Sequence, residues 1–84
     1  MIYSLRIKGS AAKALRRIGR EDRIRLIEAI DRLRAEPTAG SALKGEFAGL
    51  RRLRVGSYRI IYEVIRGELV VLVVRVGHRG SVYR

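Results

Sequence analysis

Two apolar runs near the C-terminal end constrain this chain more than any other feature. Residues 58–65 read YRIIYEVI and residues 69–76 read LVVLVVRV, separated by the reversal at Arg66-Gly67. Their β-branched and aromatic content marks them as strands, and the short Arg-Gly break makes them a hairpin. A third run, LRRLRV over 50–55, leads into them through the tight Gly56-Ser57 turn. The second half of the chain is therefore an antiparallel meander. Arginines interrupt it at Arg52, Arg54, Arg59 and Arg75, and Arg79 follows. A desolvated guanidinium costs several kcal/mol unless it is paired, so these charges need a face open to water or to an anion.

Period-2 alternation assigns the faces. Over 50–55, Arg51, Leu53 and Val55 share one side, with Leu50, Arg52 and Arg54 on the other. Over 58–65, Tyr58, Ile60, Tyr62 and Val64 oppose Arg59, Ile61, Glu63 and Ile65. Over 69–76, Leu69, Val71, Val73 and Arg75 oppose Val70, Leu72, Val74 and Val76. Tyr58 and Tyr62 then read as core packing rather than as base-stacking groups.

The first half supplies the cover. Residues 2–8 alternate as a strand, and Ser10 is placed to cap a short helix with Ala11, Ala14, Leu15 and Ile18 on one side. Gly19 is a natural stop for it. A longer helix over 21–35 carries Ile24, Ile27, Ile30 and Leu33 as its stripe, with Glu21–Arg25 and Glu28–Arg32 as outward i, i+4 pairs. Pro37 ends it, and 38–41 form a loop. The order β-α-α-β-β-β predicts an α+β fold in which a helical hairpin packs on one face of a mainly antiparallel four-stranded sheet. Residues 1–84 make a single domain. With the helices on one face, Arg52, Arg54, Arg59 and Arg75 are best placed on the other, with Gly77, His78 and Arg79 at its rim.

Charge indicates the partner class. The 84 residues carry a formal net charge of +11, with no cysteine and one histidine. Disulfides, thiolate metal sites and a cysteine nucleophile are excluded, and a protein-built metal site or cofactor is not expected. An arginine-rich basic domain favours nucleic acid, an acidic protein or an anionic surface. No stretch resembles a signal peptide or is long enough to span a bilayer, so a cytoplasmic, membrane-free protein is expected.

Three segments carry a resemblance: LKG at 43–45, RLRVGSYRIIYEV at 52–64 and VGHRGSVY at 76–83. Together, in this order and length, they resemble the RelE/ParE toxin superfamily of type II toxin–antitoxin systems. The GHR-x-x-VY ending points to the RelE-like branch. The resemblance implies a ribosome-dependent mRNA endoribonuclease, or mRNA interferase, that acts in the 30S A site and inhibits translation. It also implies a cognate RelB-like antitoxin, acidic and partly disordered until bound, in a hetero-oligomeric complex. In that branch the RNA 2′-OH attacks the neighbouring phosphodiester and leaves a 2′,3′-cyclic phosphate and a 5′-OH.

Carried over residue by residue, the resemblance implies catalytic roles for Arg52, Arg59, Arg79 and Tyr83. The chemistry needs a deprotonated 2′-OH, stabilisation of the pentacoordinate phosphate and a proton or equivalent for the leaving oxygen. Guanidinium groups can hold the phosphate charge, and a phenol beside such cations can act as base. Arginine is a poor acid, which makes His78 a physically easier donor than Arg79. Lys44, Arg51, Arg54 and Arg75 are expected to contact RNA in support. Two rivals stand beside this reading: a ParE-like DNA gyrase inhibitor of the same fold, and a non-catalytic RNA-binding module.

Overall fold

The computed structural model describes residues 2–78, and within them the α+β expectation holds. Strand β1 (Ser4–Ile7) is followed by helices α1 (Gly9–Arg17) and α2 (Arg20–Arg32). A two-residue strand β2 (Ser41–Ala42) and a 3-10 turn (Gly45–Phe47) lead into β3 (Arg51–Val55), β4 (Tyr58–Ile65) and β5 (Val70–His78). The sheet has five strands rather than four, in the order β1-β5-β4-β3-β2. The additional strand is β2, from a segment expected to be part of a loop. It pairs antiparallel with β3, Ser41 across from Arg52 and Ala42 across from Arg51. β1 runs parallel to β5, and every other pairing is antiparallel.

Helix α1 lies over β5 and α2 over β3. Their apolar sides meet one face of the sheet in a core of Ala11, Leu15, Leu26, Ile30, Leu33, Ile60, Tyr62, Val71, Val73 and Val76. Each large side chain removed from water there contributes about 1.5–3 kcal/mol before conformational entropy is counted. The start of β1 is tied to the end of α2. The Tyr3 N–H donates to the Arg34 carbonyl at 2.8 Å, and Arg34 Nε donates back to the Tyr3 carbonyl at 3.2 Å.

Several local expectations are corrected. Ser10 does not cap α1: the helix begins at Gly9, with Lys8 in the cap position and no side-chain cap bond. Gly19 is not a left-handed stop. Its φ of −56° and ψ of 149° make it the extended residue that opens α2. The buried stripe of α2 is Leu26, Ile30 and Leu33, whereas Ile24 and Ile27 are 46% and 50% exposed. Neither Glu21–Arg25 nor Glu28–Arg32 closes to an ion pair. Among the described residues the ion pair found is Arg34–Asp31, at 3.2 Å on the surface, where such contacts contribute little.

The largest correction is on β5. Its register against β4 shifts between Ile61 and Tyr62: Tyr62 faces Val73, but Ile61 faces Arg75. Val74 is the additional residue of a β-bulge. Strict alternation would put Arg75 on the side of Val71 and Val73, beneath the helices. The bulge resets the phase, so Val76 joins the core and Arg75 shares its face with Ile61.

Candidate nucleic-acid interface

The sheet face away from the helices carries its arginines in two cross-strand rows, with Glu63 of β4 on the same face across from Leu72. One runs Ser41–Arg52–Ile61–Arg75 across β2, β3, β4 and β5, and the next runs Arg54–Arg59–Gly77 across β3, β4 and β5. Side chains directly opposite on one face lie about 4.5–5.5 Å apart at Cβ, and diagonal neighbours about 7–8 Å apart. The register therefore gathers Arg52, Arg54, Arg59 and Arg75 into one cluster. Ile61 lies between Arg52 and Arg75 and is only 2% exposed, although no helix covers this face. Long arginine stems are suited to shield such a residue while keeping their charged heads outward.

Arg54 and Arg59 are directly opposite on neighbouring strands. Two guanidinium groups so placed favour any polyanion that bridges them. Gly77, across from Arg59, adds no side chain to the row. Arg6 of β1 lies across from Leu72 and extends the cationic surface toward the parallel edge. Local alternation could not bring Arg6 into the site, because its place depends on pairing between strands more than sixty residues apart in sequence.

The remaining predicted site residues divide sharply. Arg51 is on the helix side and turns inward. Its Nη2 donates to the carbonyls of Thr38 at 3.1 Å and Gly40 at 2.6 Å. His78 also falls on the helix side, because the bulge places it with Val76. Its ring meets that of its cross-strand partner Tyr58 at 4.4 Å between centroids, in a surface cavity also lined by Arg17 and Ile18. Lys44 is exposed in the connection after β2, outside both rows. Arg79 and Tyr83 lie outside the described residues. Tyr58 and Tyr62 both pack in or against the core, as alternation predicts.

Comparison with known proteins agrees with this architecture. Residues 5–83 match the family described as the ParE toxin of type II toxin–antitoxin systems. The chain belongs to the RelE/ParE toxin superfamily. It is 31% identical over 86 residues to toxin RelG of Mycobacterium tuberculosis, covering 100% of this chain and 99% of that protein. Among solved structures, the RelBE2 toxin–antitoxin complex of M. tuberculosis matches with a TM-score of 0.88 and 28% identity, over 94% of this chain and 100% of the other. A double arginine-to-alanine mutant of the E. coli toxin RelE, in its free state, gives 0.81 and 28%, over 96% and 87%. The archaeal RelE–RelB complex of Pyrococcus horikoshii gives 0.79 and 28%, over 96% and 99%. As a superfamily toxin, the chain presents a helical hairpin on one side of its sheet and an arginine cluster on the other.

Proposed function

We propose that this toxin is a ribosome-dependent mRNA endoribonuclease that cleaves in the A site without a metal. The observation that carries the reading is the cluster of Arg52, Arg54, Arg59 and Arg75 on the uncovered sheet face. Similarity to RelE-type toxins over nearly the whole chain supports it. In the proposed reaction the 2′-oxygen bonds to the adjacent phosphorus and the P–O5′ bond breaks. The products are a 2′,3′-cyclic phosphate and a 5′-OH. Arg52 and Arg59 hold the charge that builds on the phosphoryl oxygens, and Arg54 and Arg75 steer the flanking phosphates.

Tyr83 takes the 2′ proton and Arg79 serves the leaving oxygen. His78 is less suited to that second role from its place against Tyr58 on the other face. The partners on this reading are mRNA on the 30S subunit and a RelB-like antitoxin in a hetero-oligomeric cytoplasmic complex. An acidic antitoxin segment over the arginine face would compete directly with RNA.

The test is to induce the toxin and map mRNA 5′ ends on translating ribosomes, then repeat with Arg59→Ala, Arg79→Ala and Tyr83→Phe. Codon-periodic 5′ ends that disappear in all three variants are expected. Intact mRNA with DNA damage would instead establish the ParE-like gyrase inhibitor, the reading favoured by the family match over 5–83. Intact mRNA with undamaged DNA but retained RNA affinity would leave the binding module.

A further inference from the structure

Arg52 is on a strand whose outer neighbour is only two residues long, and the structure shows what holds that neighbour in place. β2 has too few ladder hydrogen bonds to fix itself. The loop before it, residues 37–40, is anchored from the helix side of the sheet. The Tyr62 hydroxyl donates to the Pro37 carbonyl at 2.7 Å and accepts the Gly40 N–H at 3.0 Å. Arg51 donates to the Thr38 and Gly40 carbonyls. Tyr62 is fully buried on the central strand β4, so its hydroxyl is a fixed point. Gly40 sits so close to β3 that a Cβ on it would fall 2.5 Å from the Arg52 carbonyl oxygen. The next residue, Ser41, pairs with Arg52.

We propose that the Tyr62 hydroxyl and the Arg51 guanidinium are positioning groups for Arg52. They act through Gly40 and the β3 backbone, and they set the angle at which Arg52 presents its guanidinium on the opposite face. Arg51 and Arg52 are consecutive, so they point to opposite sides of the sheet. The first grips the loop and the second is left for the anion. This assignment moves Arg51 out of the RNA-contacting set. The inference rests on the open face being an RNA site, and its test separates the two.

The experiment is a double-mutant cycle on the full-length toxin, read as affinity for a fluorescein-labelled single-stranded RNA by anisotropy at fixed salt. Arg52→Ala, Tyr62→Phe, the pair together, and Arg51→Lys are compared, with thermal melts and Gly40 amide exchange measured on each. Tyr62→Phe is expected to speed Gly40 exchange and weaken RNA binding roughly three- to tenfold, yet add nothing in the Arg52→Ala background. Arg51→Lys keeps the charge but removes the Nη2 that reaches the Thr38 and Gly40 carbonyls, and is expected to mirror Tyr62→Phe.

A Tyr62→Phe loss that persists in full beside Arg52→Ala would make the hydroxyl merely structural and overturn the proposal. Wild-type affinity in a folded Arg51→Lys that exchanges Gly40 faster would overturn it as well, even if Tyr62→Phe failed to fold. Should Arg52→Ala bind RNA like the wild type, the RNA-site reading itself falls and the positioning role falls with it.

Discussion

Adding one methyl group at Gly40 should cost this toxin about as much as truncating a core side chain. A Cβ there would lie 2.5 Å from the Arg52 carbonyl oxygen, 2.9 Å from the Arg52 carbonyl carbon and 2.8 Å from the Tyr62 hydroxyl. Two of those three atoms are backbone of a paired strand, so no side-chain rotation relieves the contact. The loop must lift, and lifting it strains the Gly40 N–H bond to Tyr62 and the Arg51 bond to the Gly40 carbonyl. Two such bonds, at about 0.5–1.5 kcal/mol each, and a hydroxyl left poorly satisfied in the core together give about 2–4 kcal/mol. A chain of this length has on the order of 4–13 kcal/mol in total. At about 4–8 °C per kcal/mol, Gly40→Ala should lower Tm by about 8–32 °C, followed by circular dichroism and confirmed by urea titration. Gly67→Ala is the matched control: a Cβ there meets nothing within 4 Å, so stability should hold or rise by about 0.4–1 kcal/mol. A Gly40→Ala melt within about 3 °C of the wild type would refute the close-contact reasoning.

Two adjacent residues on α2 should behave oppositely. Leu26→Ala, at a side chain with no exposure, should lose about 2–5 kcal/mol in urea denaturation, whereas Ile27→Ala, at a half-exposed one, should stay within about 0.5 kcal/mol. The reverse order would mean that α2 docks through its other stripe. For the arginine face, Arg59→Gln should weaken RNAs of unrelated sequence alike and flatten the plot of log K against log salt by about 0.7, the share of one single-strand phosphate contact. An unchanged slope would remove Arg59 from the phosphate-binding set.

Much of this architecture was legible because strand period and charge are local signals. Residues 50–55 and 58–65 each alternate cleanly on either side of a two-residue turn, so Arg52, Arg54 and Arg59 could be assigned to one face from the sequence. Arg75 could not be secured in that way. Counting by twos from Val73 carries it toward the helices, and only the bulge at Val74 returns it to the open face. The same reset moves His78 to the helix side and separates it from the arginines it was expected to assist. On α2 the misreading came from a spacing of three. Ile24 and Leu33 are nine residues apart, about two and a half turns, and so stand on opposite sides of the helix. The stripe that packs, Leu26 with Ile30 and Leu33, follows the true period. The Tyr62–Gly40 anchor spans 22 positions and has no periodic signature. Its trace in the sequence is a tyrosine on the core-facing side of a strand, where a buried hydroxyl demands a partner.

The arginine face and the helix-side core place opposite demands on the same three strands, and the protein meets them with alternation plus one bulge. The result is a sheet whose covered side is stabilised by apolar burial and whose open side carries the charge. Arg54 faces Arg59 directly, and Arg52 and Arg75 flank a single buried isoleucine. A polyanion laid there meets four guanidinium groups on three neighbouring strands. Any ligand that binds only the folded chain adds RT ln(1 + [L]/Kd), about 2.7 kcal/mol at a hundredfold excess over Kd. On the proposed function, RNA and an acidic antitoxin segment draw on the same guanidinium groups in the same rows. They should therefore exclude one another on electrostatic grounds alone, and the tighter-binding antitoxin would both silence the toxin and stabilise its fold.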